Sequence, residues 1–227
     1  MKTVINNKQK IFGIGLSKTG TTSLFAALNM LGYRSGTYRH LQRRGLSKWF
    51  QGDFSYDYIS DFDAVTDLPI GSFYTALDDR YPGSKFILTT RNKVDWLNSC
   101  RRYFSTEERK RVAANSFYNQ TQLSMYGVSF FNEAQFSYIY DCHEYGVRKY
   151  FRDRDRDRDL LTISITEGQG WDKLCPFLGE PIPSCDFPIV LPGGGKRPDD
   201  LKSKKQAYSI SAKLNTITNH LTNSTDK

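Results

Sequence analysis

From residue 15 to residue 23 the chain reads Gly15-Leu16-Ser17-Lys18-Thr19-Gly20-Thr21-Thr22-Ser23, side chains suited to holding an anion. Glycines let the backbone wrap closely around a charged group. The hydroxyls of Ser17, Thr19, Thr21, Thr22 and Ser23 add hydrogen-bond donors, and Lys18 supplies a point charge. Two familiar phosphate patterns fail here. The Walker pattern Gly-x-x-x-x-Gly-Lys-Ser/Thr finds Gly15 and Gly20 correctly separated, but Thr21 stands where its lysine belongs. The dinucleotide pattern Gly-x-Gly-x-x-Gly fails because Lys18 occupies the place of the third glycine. A plain turn whose small residues cap a helix is the competing reading.

Such a loop needs a strand to deliver it and a helix to follow it, because the helix N-terminus then turns its free N–H groups toward the anion. That setting is visible. Ile11-Phe12-Gly13-Ile14-Gly15 is a short apolar run ending in glycine, the profile of a buried parallel strand. Leu24, Phe25, Leu28 and Leu31 recur at helical spacing, and Gly32 stops that helix. Ala64 and Val65 mark a second strand leading into Thr66-Asp67-Leu68-Pro69. The strongest later strand, Phe86-Ile87-Leu88, lies between the turn Tyr81-Pro82-Gly83 and Arg91. A helix beginning near Val94 carries Trp96, Leu97 and Cys100, and residues 106–150 have helical periodicity. Leu160-Leu161-Thr162-Ile163-Ser164-Ile165 reads as a last strand, followed by a helix with Trp171, Leu174 and Phe177-Leu178. Trp96 and Trp171 read as core residues rather than as stacking platforms. Strands alternating with helices predict a parallel sheet covered on both faces.

At 227 residues, the chain is expected to form one α/β domain over residues 1–190 and a basic, polar tail over 191–227, with one short helix around 207–221. A net charge of +8 suits an anionic ligand, a nucleic acid or an anionic membrane face. The positive residues are scattered and no basic–aromatic stripe stands out, which disfavours nucleic acid. Cys100, Cys142, Cys175 and Cys185 form no CxxC pair and read as reduced thiols. His40, His143 and His220 lie far apart without metal-ligand spacing, so no metal is expected. Residues 1–10 lack the apolar core of a signal peptide, and no apolar run approaches the ~20 residues that span a bilayer. A cytoplasmic protein is expected. The Arg–Asp alternation over 152–159 reads as a salt-bridged helix end or a solvated loop.

Lys18-x-Gly20-Thr21-Thr22 after a strand resembles the 5′-phosphosulfate loop of the sulfotransferases that use 3′-phosphoadenosine-5′-phosphosulfate (PAPS). In that family an arginine at a strand end and a serine eight positions later grip the 3′-phosphate. Thr89-Thr90-Arg91 ends the strongest strand here, and Ser99 lies eight residues on. Leu31-Gly32-Tyr33, Asp67-Leu68-Pro69, the stretch from Tyr81 to Thr89 and the stretch from Gly170 to Gly179 are similar to one sulfotransferase subfamily. The resemblance runs from about Lys10 to Pro188. It implies a three-layer α/β/α sandwich with a central parallel sheet, of the P-loop nucleoside-triphosphate-hydrolase type. The Arg-Lys-Gly-x-x-Gly segment of the well-studied cytosolic enzymes is missing, with only Lys196-Arg197 as a faint echo.

The resemblance also implies chemistry. PAPS is the expected donor, and an already activated donor needs no metal. A small hydroxylated acceptor is expected, apolar or aromatic because residues 117–140 are rich in aromatics. Lys18 is the candidate cation for charge developing on the departing phosphate. The family's catalytic histidine falls at Asp67 in Val65-Thr66-Asp67-Leu68-Pro69, making Asp67 the first candidate base. An aspartate with a pKa near ~3.9 must be desolvated to do that work. A structural carboxylate at a helix entry is the competing role for Asp67, and His40 is the second candidate base. A P-loop small-molecule kinase and a catalytically degenerate nucleotide-binding module are the alternative functions.

Overall fold

The computed structural model describes residues 9–43, 46–53, 59–106 and 116–190, so the expected tail and its helix lie outside the described residues. Among the described residues, five short strands make one all-parallel sheet: β1 (Ile11–Gly13), β2 (Ser35–Gly36), β3 (Ala64–Thr66), β4 (Lys85–Thr89) and β5 (Leu160–Ile163). Their order is β2-β3-β1-β4-β5. The helices are α1 (Thr21–Met30), α2 (Tyr38–Arg43), α3 (Tyr74–Arg80), α4 (Lys93–Phe104), α5 (Phe117–Tyr126), α6 (Glu133–Arg152) and α7 (Trp171–Leu178). The expected α/β/α sandwich is thus observed.

Alternation along the strands divides the core in two. The register sets Phe12 level with Val65 and Phe86. These three face Trp49, Leu77 of α3, and Val147 and Phe151 of α6. Ile11, Ala64, Ile87 and Ile163 point the other way, onto Leu24 and Leu28 of α1 and Trp171 and Leu174 of α7. A parallel sheet needs this cover on both faces. A third cluster joins Leu16 and Leu68 to Trp96, Phe104, Met125, Tyr126 and Phe136. Leu16 and Leu68 are neighbours of Ser17 and Asp67, so this cluster anchors the two loops that hold these candidate site residues.

The chain leaves β1 for β2 and β3 on one side, then crosses to β4 on the other. That reversal opens a crevice at the strands' carboxyl ends, the usual ligand position in open parallel sheets. Strand β2 was not foreseen: Ser35 and Gly36 offer no apolar run, yet they pair with Ala64 and Val65. The last strand stops at Ile163, because Ile165 has turned into a single 3-10 turn, Ile165–Glu167. In the Arg–Asp alternation, α6 ends at Arg152 and Arg156 is tied to the buried Asp78 of α3 and to Asp159.

Gly15 shows how tightly the first loop is seated. A Cβ there would lie 2.0 Å from Thr89 Oγ1 and 2.6 Å from the Thr89 carbonyl oxygen. Backbone cannot yield as a flexible side chain can. Gly15→Ala is therefore expected to lower stability by at least about 2 kcal/mol, as overpacking does. Urea denaturation would check this, and an unchanged midpoint would mean that the loop relaxes freely.

Candidate active site

Four strand ends meet at one cavity of about 680 Å³. The loop after β1 contributes Ser17, Lys18 and Gly20, and the start of α1 adds Thr21, Thr22 and Ser23. Asp67 follows β3, Arg91 follows β4 with Ser99 on α4, and Ile165 and Thr166 follow β5. Thr19 is the exception among the loop residues. Its side chain is buried, with its hydroxyl 2.6 Å from both the Leu16 carbonyl and Thr89 Oγ1, so it braces the loop from behind.

Buried aromatic groups hold the loop in shape. Trp96 Nε1 donates to the Ser17 carbonyl at 2.8 Å, and the Ser17 amide donates to Tyr126 Oη at 3.2 Å. Trp96 is accordingly a core residue, and so is Trp171, whose indole donates to the Cys185 carbonyl. Lys18 has a left-handed backbone, φ 72°, uncommon for a residue with a side chain. Gly20 at φ 105° opens α1 without a side-chain cap, and the first turn carries no acid. The first residues of that uncapped helix line the same cavity as the lysine, an arrangement suited to an anion. The Lys18 ammonium sits 4.3 Å from the centre of the Tyr103 ring. Burial pushes its pKa down, while the nearby Asp67 charge opposes that shift.

The corner after β4 touches the same loop. Arg91 Nη1 donates to the Lys18 carbonyl at 3.4 Å. Asn92 caps α4 by accepting from the Val94 and Asp95 amides, which fixes the helix that presents Ser99. Arg102 and Tyr103, one turn beyond Ser99, also line the cavity and were missed in the sequence. Their i+3 and i+4 spacing from Ser99 on one helix was the available signal. Ile189 and Val190 line it too, and the Val190 amide donates to Ser23 Oγ at 2.9 Å. Nothing in their local sequence pointed there.

Asp67 has φ 74°, a second non-glycine residue in the left-handed region at this site. Thr21 Oγ1 donates to its Oδ1 at 3.4 Å. Burial pushes its carboxyl pKa up to about 6, against the opposing pull of the Leu68 amide, Thr21 and the Lys18 charge. The turn that follows, Ile70–Phe73, begins behind Pro69 without a side-chain cap, so Asp67 does not cap it. A second cavity of about 350 Å³ shares Ser17, Asp67 and Tyr103 with the first. His40 lines neither cavity. Its Nδ1 accepts from the Thr37 amide, and its ring packs against Phe25 and Phe62. The structure therefore brings one of the two candidate bases to the site and not the other.

The sulfotransferase domain family matches residues 10–192 of this chain. The chain belongs to the sulfotransferase family. It is 27% identical over 217 residues to Ava biosynthesis cluster protein M of Aspergillus versicolor, covering 82% of each chain. As a sulfotransferase it is a transferase whose expected acceptor is a small molecule. No helix among the described residues of this sulfotransferase is long and apolar enough to cross a membrane.

Proposed function

We propose that this sulfotransferase moves the sulfuryl group of PAPS onto a hydroxyl of a small acceptor by in-line displacement. One observation carries the reading. A single cavity gathers the bare N-terminus of α1, Lys18 and the Arg91–Ser99 corner, while Asp67 stands where that cavity meets a second one. Its volume, about 680 Å³, suits a ligand of nucleotide size. The helix amides with Ser17, Thr21, Thr22 and Ser23 suit the 5′-phosphosulfate, and Arg91 with Ser99 suits the 3′-phosphate.

Asp67 takes the proton of the acceptor hydroxyl as that oxygen bonds to sulfur. With its pKa near 6 it is ionised at neutral pH yet basic enough to accept a proton. Lys18 neutralises the negative charge gained by the 5′-phosphate oxygen as its bond to sulfur breaks. Cys100, Cys142, Cys175 and Cys185 are all free, which suits a reducing cytoplasm.

Calorimetry without magnesium tests the donor. Adenosine 3′,5′-bisphosphate should bind at least about tenfold more tightly than ATP, since a charge-assisted phosphate contact is worth that much. Tighter, magnesium-dependent ATP binding would point to the kinase. Tight bisphosphate binding with no transfer from sulfur-labelled PAPS to any hydroxylated metabolite would point to the degenerate module.

A further inference from the structure

The second cavity carries information about the acceptor, given the reaction proposed above. We infer that the acceptor is a phenol or aromatic alcohol bearing an anionic group, a carboxylate or its equivalent, that Arg39 binds while the hydroxyl meets Asp67.

The argument rests on which residues each cavity owns. Ser17, Asp67 and Tyr103 line both, so they mark the junction where transfer would occur. Tyr38, Arg39, Leu68, Phe104, Tyr118, Thr121 and Gln122 line only the second, so they form the wall on the acceptor side. Three of these seven are aromatic and Tyr103 at the junction adds a fourth ring, and aromatic faces and edges favour a flat ring between them. The tilted contact of Tyr38 with Phe117 on α5, centroids 5.3 Å apart, steadies one side of that wall. At about 350 Å³ the cavity holds a small ligand.

Charge then sets the direction of binding. Arg39 and Asp67 are the charged side chains among the residues that line this cavity. Arg39 is exposed on α2, and its five N–H donors leave capacity for a carboxylate beside any other partner. A hydroxy acid entering anion first would set its carboxylate against the Asp67 carboxylate and its neutral hydroxyl at Arg39. Entered the other way, the anion meets the guanidinium and the hydroxyl meets the base. An amine in place of the acid would be repelled by Arg39. A hydroxy acid uses both ends, and the aromatic wall favours one built on a ring.

A matched panel tests this with PAPS as donor: para-cresol, para-hydroxyphenylacetate, para-hydroxybenzoate and tyramine. The acids should show Michaelis constants about 10–100-fold lower than para-cresol does, the range for hydrogen bonds to charged groups. Arg39→Leu should erase that advantage, read as the ratio of the acid and para-cresol Michaelis constants within the same variant. Arg39→Lys should recover part of it. Equal Michaelis constants for acids and cresol, a preference for tyramine, or an Arg39→Leu effect shared by charged and neutral phenols would each overturn the inference. Binding of adenosine 3′,5′-bisphosphate, measured separately, distinguishes the two readings. If it binds and no aromatic acid is preferred, the acceptor class alone falls. If it does not bind, the donor reading falls, and titration of the chain with para-hydroxyphenylacetate decides the class by its dependence on Arg39.

Discussion

Asp67→Asn is expected to lower turnover by about 10²–10⁴-fold, the usual worth of general-base help. The variant should remain at least as stable as the parent. Asparagine matches aspartate in size and still accepts a hydrogen bond from Thr21 through its Oδ1. It also tolerates the left-handed backbone at φ 74° as readily as aspartate does. Linkage sets the sign of the stability change. Burial raises this carboxyl's pKa from an ordinary 3.8 to about 6, so the folded chain holds the proton more firmly than the unfolded one. The stability this group contributes is fully present below about pH 3.8 and is lost as pH rises through about 6. At pH 7 the parent carries an ionised carboxylate in a desolvated place, and the amide removes that cost. The melting temperature of Asp67→Asn at pH 7 should therefore match or exceed the parent's, and the difference should close below about pH 4. The parent's turnover should rise with pH along a limb centred near 6, and the variant should lose that limb. Near-normal turnover would remove Asp67 from the mechanism. A lower melting temperature, with the rate per folded molecule unchanged, would assign it a structural role.

Removing the guanidinium from the β4–α4 corner should have the second largest effect. Arg91→Ala is expected to weaken adenosine 3′,5′-bisphosphate by about 2–5 kcal/mol, roughly 30- to 4,000-fold. AMP, which lacks the 3′-phosphate, should lose only a few fold. Some loss is expected even there, because Arg91 also donates to the Lys18 carbonyl and steadies the loop. The informative quantity is the difference between the two ligands, read by calorimetry on the same preparation. Equal losses would mean that Arg91 acts through the loop and not on the 3′-phosphate.

The main elements of the fold were legible in the sequence because their signals are local. A buried parallel strand is a short apolar run, and β1, β3, β4 and β5 each announced themselves that way. The helix α1 showed its period and its stop at Gly32, and α4 showed its start near Val94. The setting of the Lys18 loop between a strand and a helix was readable because the apolar run before it and the helical period after it are local features. Strand β2 was not readable: Ser35 and Gly36 become a strand only because β3 offers them partners.

Tertiary structure alone decided what faces what. Thr19 and Thr21 are two residues apart and chemically alike, yet Thr19 is buried against Thr89 while Thr21 lines the cavity and bonds Asp67. Left-handed turns at Lys18 and Gly20 flank Thr19 on either side, and Lys18 is not a residue type that forecasts one. Asp67 and His40 were both eligible bases from sequence, and the sheet order separates them. Strand β3 lies next to β1, so its end delivers Asp67 to the loop, whereas His40 on α2 packs between Phe25 and Phe62. The pKa of Asp67 depends on burial by groups remote in the chain, as does the meeting of Arg39 with Tyr118 around one cavity. Sequence carries the chemistry of each side chain and its local geometry; the distances between remote side chains, and the water excluded from between them, exist only after the layers pack.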